Sequence, residues 1–73
     1  MQLHLRQRIG IIVNGAATET GAATVAELVA ELGYNESQVA TARNGDFVPR
    51  GARAEAKLAA DDSIEIVAPR QGG

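Results

Sequence analysis

Seventy-three residues with 45% hydrophobic and 22% charged side chains suit one small folded domain and leave no room for a second, because a chain this short buries only roughly 60% of its unfolded surface. The lack of cysteine excludes disulfides, thiolate metal sites and a cysteine nucleophile. A net charge of −2 and only two aromatic residues, Tyr34 and Phe47, argue against nucleic acid, whose recognition draws on phosphate-neutralising cations and exposed ring faces.

The chain opens on MQLHLRQR. This stretch either lengthens the first strand, since Leu3, Leu5, Ile9, Ile11 and Val13 share one parity, or forms a partly disordered leader over residues 1–8; the leader is the favoured reading. It lacks the apolar centre of a signal peptide, and the longest strongly apolar run, IGIIV, falls far short of the roughly 20 residues that cross a bilayer. A cytoplasmic protein with no membrane partner is expected. IGIIV is followed by Asn14-Gly15 and then AATET, which predicts a β-hairpin, because Asn-Gly accepts the positive φ values of a type I′ turn.

In TVAELVAELG, residues Val25, Leu28, Val29 and Leu32 recur at helical spacing and predict one apolar helix face of about two and a half turns. Thr24 and Glu27 have the spacing of a capping box, and Gly33 suits the left-handed position that ends a helix. A polar loop leads to QVATARNGDFV, a second hairpin about Asn44-Gly45, stopped by Pro49. GARAEAKLAA has one strong apolar anchor, Leu58, and reads as a turn of helix or an irregular crossover. SIEIVAP alternates, with Ile64 and Ile66 on one side and Glu65 on the other, and predicts a final strand with one buried face. The order implies an α+β roll over residues 9–68. One helix covers one face of a four- or five-stranded sheet, and the other face is left to solvent or a partner.

The side chains offer no catalytic constellation. His4, the one histidine, has no supporting Ser, Cys or Asp arrangement nearby. Asp61 and Asp62 are read as turn residues that face apart in water. Arg43, Arg50, Arg53 and Lys57, interspersed with Asp46 and Glu55, are read as a solvated face, with partner docking as the alternative. Gly10, Gly15, Gly21 and Gly33 do not fit a phosphate-binding loop. No enzyme activity, metal site or bound cofactor is expected.

What remains is the end of the chain, APRQGG. Residues 69–73, extended from a strand ending near Ala68, reach about 16 Å at roughly 3.3 Å per residue, long enough to enter another protein's active site. Gly72 and Gly73 present no side chain to a narrow channel, while Pro69 stiffens the base. The terminal carboxylate is ionised at neutral pH and a poor electrophile, so something else must activate it; a partner using ATP could do so by forming an acyl-adenylate. Simple fraying of a glycine terminus is the competing reading.

VNG at Val13 to Gly15, NGDFVPR at Asn44 to Arg50, IEIVAPRQGG at Ile64 to Gly73 and the intervening helix together resemble the ThiS family, sulfur carriers of thiamin biosynthesis. The resemblance runs from about Ile9 to Gly73 and is most specific in the last ten residues. It implies a ubiquitin-like β-grasp fold with a mixed sheet, one main helix and a flexible C-terminal tail. It also implies that an E1-like adenylyltransferase of the ThiF type uses ATP to adenylate Gly73. The product becomes a thiocarboxylate with sulfur from cysteine by way of a cysteine desulfurase, and the sulfur passes to a thiazole synthase of the ThiG type. By position, Gly73 carries the sulfur, and Gly72, Gln71 and Arg70 thread the tail; Arg70 either steadies it in an acidic groove or is simply solvated. Val67 and the sheet face near Phe47 and Val48 are candidate docking surface, although core packing is favoured for Phe47.

Two features depart from the family pattern. Asp61-Asp62 stands where similar proteins have Gly-Asp before the last strand, a substitution that Asp tolerates better than most residues. The leader exceeds the family's usual start, as an addition or an upstream start site would make it. Other functions on the same scaffold are a carrier for molybdopterin or another pathway, a protein modifier, or a non-covalent interaction module.

Overall fold

Two Asn-Gly turns and one capped helix organise the chain, and the computed structural model describes residues 7–69. Strand β1 (Ile9–Val13) turns at Asn14-Gly15 into β2 (Ala16–Thr20), and β3 (Ala40–Arg43) turns at Asn44-Gly45 into β4 (Asp46–Val48). Both turns have positive φ at both central residues, 51° and 84° in the first and 53° and 87° in the second, the type I′ geometry that matches the twist of the flanking strands. The register follows: Val13 faces Ala16, and Arg43 faces Asp46.

The helix α1 (Val25–Glu31) begins where its local chemistry predicts. The Thr24 hydroxyl accepts from the Glu27 amide at 3.2 Å, while the Glu27 carboxylate accepts from the Ala23 amide, one residue before the position a standard capping box would use. It ends in a Schellman motif: Gly33, at φ 83°, donates to Ala30 O, and Tyr34 donates to Val29 O. Val25, Leu28 and Val29 are buried. Leu32 is not: it is the C-cap residue, where the chain turns away from the sheet, and it stays 40% exposed, so the expected four-residue face holds three.

Strand β5 (Ser63–Val67) enters the sheet between the two hairpins, giving the order β2-β1-β5-β3-β4. It runs parallel to β1 and antiparallel to β3. The result is a five-stranded mixed sheet with one main helix, the α+β roll expected of a β-grasp domain. Ile11, Ile64 and Ile66 from the sheet meet Ala22, Val25, Leu28 and Val29 in one core, rimmed by Ile9, Val13, Tyr34, Val39, Ala56 and Leu58.

The crossover is a 3-10 helix over Arg50–Glu55, with Pro49 before it. Its end is stitched to the start of α1, where Val25 N donates to Ala56 O and Leu58 N to Ala23 O. Here the sequence reading of a solvated basic face needs correction. Arg50 and Lys57 are exposed, but Arg53 is only 4% exposed, because the crossover turns its side chain inward beneath β3. Its guanidinium donates from Nε to Thr41 Oγ1 (3.1 Å), from Nη1 to Glu36 O (2.8 Å) and from Nη2 to Val39 O (2.6 Å). Thr41, itself buried, donates a hydrogen bond from its hydroxyl to Val48 O. One planar cation thus holds the loop after α1, β3 and β4 in register.

Lysine has a point charge and cannot satisfy three separated acceptors. Arg53→Lys is therefore expected to lower the unfolding free energy by about 2–3 kcal/mol, measured by urea denaturation, against about 0.5 kcal/mol or less for a solvated arginine.

Candidate functional site

The sheet face opposite α1 is set by the parity of β5. Ile64 and Ile66 point into the core, so Glu65 and Val67 point out. Cross-strand register brings Phe47, Ala42 and Glu65 into one row and Ala40 and Val67 into the next. Phe47 is 68% exposed and Val67 61% exposed, the two most exposed large apolar side chains among the described residues. The core role favoured for Phe47 is thus overturned: three-residue β4 alternates, and the burial goes to its neighbour. Val48 is 8% exposed and packs inward, so the expected docking pair Phe47 and Val48 splits across the two faces of the sheet. Phe47 and Val67 share the outer face in neighbouring rows, with Glu65 in the row of Phe47.

Val67 is also the last residue of β5, and Ala68 and Pro69 follow it exposed and outside any element. The outer apolar face therefore adjoins the root of the tail. Arg70, Gln71, Gly72 and Gly73, like His4 and most of the expected leader, lie outside the described residues. Among the described residues no cluster of His, Asp and Glu is arranged to hold a metal ion, and no helix is long and apolar enough to cross a membrane.

The base of β5 holds a strongly constrained carboxylate. Asp61 takes φ 72° at the third position of the turn Ala59–Asp62, as its tolerance of left-handed geometry allows. Asp62, expected to sit in water, is 7% exposed. Its carboxylate accepts from Arg43 Nε (2.9 Å), Asn44 Nδ2 (3.0 Å) and Ala59 N (2.8 Å). Burial by itself would raise the carboxyl's pKa; the bonds from Asn44, Ala59 and Arg43 outweigh it and bring the pKa below its ordinary 3.8. No spacing in the sequence joins positions 43, 44 and 62, since only the fold places the second turn beside the start of β5.

Residues 4–73 match the ThiS family. The chain belongs to it. A search of the curated proteins returned no match. Among solved structures, the thiamine biosynthesis protein ThiS from Geobacter metallireducens is similar, with 26% identity and a TM-score of 0.73 over 89% of this chain and all of that one. The match takes in residues 4–8 of the expected leader as well as the tail. Family membership and fold together support a sulfur-carrier role in thiamin-type biosynthesis for this ThiS-family chain.

Because the folded carboxyl of Asp62 titrates below the unfolded one, its stabilisation is complete above the ordinary value of 3.8 and is lost as pH falls through the lower folded value. Asp62→Asn is expected to cost about 1–3 kcal/mol at pH 7 in denaturant titrations, and the gap from wild type should close as the pH drops below about 4.

Proposed function

We propose that this chain is a sulfur carrier whose reactive group is the carboxylate of Gly73, charged by one partner and discharged by another in building the thiazole ring of thiamin. The observation that carries the reading is the family match, which continues without a break from the folded domain through the tail to residue 73. The fold supports it in two ways. The last strand is a central strand rather than a loose edge, and an apolar outer face lies beside the point where the tail begins.

The chemistry needs no catalytic side chain from the carrier. In the active site of an E1-like adenylyltransferase, a carboxylate oxygen of Gly73 attacks the α-phosphorus of ATP, and pyrophosphate leaves. The acyl-adenylate is now an electrophile. Hydrosulfide, released when a thiol reductant cleaves the persulfide that a desulfurase forms from cysteine, with a disulfide left behind, adds to the carbonyl. AMP departs with one of the original carboxylate oxygens, a proton is released, and a thiocarboxylate remains. A thiazole synthase takes the sulfur, and the cycle restarts from the carboxylate. Gly72, Gln71 and Arg70 are the residues that thread the two active sites, where glycine's lack of a Cβ lets the backbone pass a narrow channel. Phe47 and Val67 form the docking face, in the cytoplasm where ATP and the partners are available.

Incubating the chain with the adenylyltransferase, ATP and a sulfur source should replace one oxygen by sulfur, read by intact-mass spectrometry and located at Gly73 by fragmentation. A chain truncated at Gln71 should stay unchanged. Unaltered wild-type mass, under conditions that convert a positive-control carrier, would overturn the reading. Loss of thiamin rather than molybdenum-cofactor synthesis on gene deletion identifies the pathway. Phe47→Ser should leave stability within about 0.5 kcal/mol, yet weaken binding to the adenylyltransferase by about tenfold in calorimetric titration, as loss of an aromatic anchor does.

A further inference from the structure

The last register pair between β1 and β5 is Val13 with Ile64, so β1 stops before β5 does. Beyond it the backbone of β1 turns away at Asn14-Gly15. Asn14 nevertheless continues the ladder with its side chain. Its backbone N donates to Ile64 O at 2.9 Å, its Oδ1 accepts from Ile66 N at 2.8 Å, and its Nδ2 donates to Ile66 O at 3.1 Å. A primary amide presents the same donor and acceptor pair as a peptide group, so it can substitute for one strand residue. On the other flank Val67 still pairs with Ala40 of β3. The exit of β5 is thus gripped from both sides, one residue before the outward-facing Val67 and three before Pro69.

We infer that Asn14 is a positioning residue for the carrier reaction: its side-chain amide fixes the place and direction in which the tail leaves the sheet relative to the docking face. This rests on the carrier reading above. A second copy of the device serves as an internal control. Asn44 has the same turn geometry, and its Oδ1 accepts from Ser63 N at 2.9 Å, but it grips the start of β5, at the opposite end from the tail. Ordering the strand's exit before docking removes an entropic cost that a loose root would meet on binding.

The test compares wild type, Asn14→Gly and Asn44→Gly, since glycine keeps the positive φ of both turns while deleting the amide. Adenylation is followed by pyrophosphate release well below each variant's unfolding temperature. Asn14→Gly should raise the KM for the carrier about five- to tenfold with kcat little changed, the equivalent of one to two lost hydrogen bonds; Asn44→Gly should match wild type. Amide exchange should quicken at Ile66 and Val67 in Asn14→Gly and remain slow at Leu28. Equal KM values for all three proteins, an equal rise in both variants, or unchanged exchange at Ile66 would each overturn the inference while leaving the carrier reading intact. A wild-type chain that is never adenylated would overturn both.

Discussion

The structure depends on the insertion of β5 between two hairpins that have no other contact through the sheet. A strand in that position must satisfy backbone donors and acceptors on both edges, and it must do so over its full length because both edges are buried in the sheet. The neighbouring strands alone do not suffice, since their register ends before β5 does on one side and begins after it on the other. The shortfall is met by the turn residues. Asn44, its amide held by Asp62, completes the bonding at the entry of β5, and Asn14 at its exit. The residue chosen for positive φ in each type I′ turn is also the residue whose side chain reaches the central strand.

This double use explains an otherwise uneven distribution of buried polar groups. Thr41, Arg53 and Asp62 are buried; Arg53 and Asp62 each tie one segment of the chain to another distant in sequence, and Thr41 joins β3 to β4 across their hairpin. No buried side-chain nitrogen or oxygen among the described residues is left without a partner. Among the described residues only seven form the core cluster, so polar bonds of defined geometry carry a larger share of the specificity than they would in a larger protein. The outer face, by contrast, holds an exposed aromatic ring, Phe47.

Local chemistry was readable in the sequence wherever one stretch contains its own explanation. Both Asn-Gly hairpins, the Thr24 cap, the Gly33 stop and the alternation of Ile64 and Ile66 follow from neighbours within a few residues, and so did the element order. Misreadings fell where the deciding partner is distant in sequence. Arg53 resembles its solvated neighbours until the crossover places it under Thr41, and Asp62 resembles Asp61 until the second turn closes over it. Phe47 and Val48 illustrate another limit: a three-residue strand has too few positions for alternation to reveal which of two adjacent apolar residues faces inward. The tail residues 70–73 were singled out by composition and by family resemblance alone.

The parallel pairing of β1 with β5 has a consequence for synthesis. The strand at the middle of the sheet is the last of the five described, so the two hairpins cannot join into one sheet until the chain through position 67 is available. Such long-range closure is slow relative to local folding. A polypeptide cut short before that position would lack the centre of its own architecture.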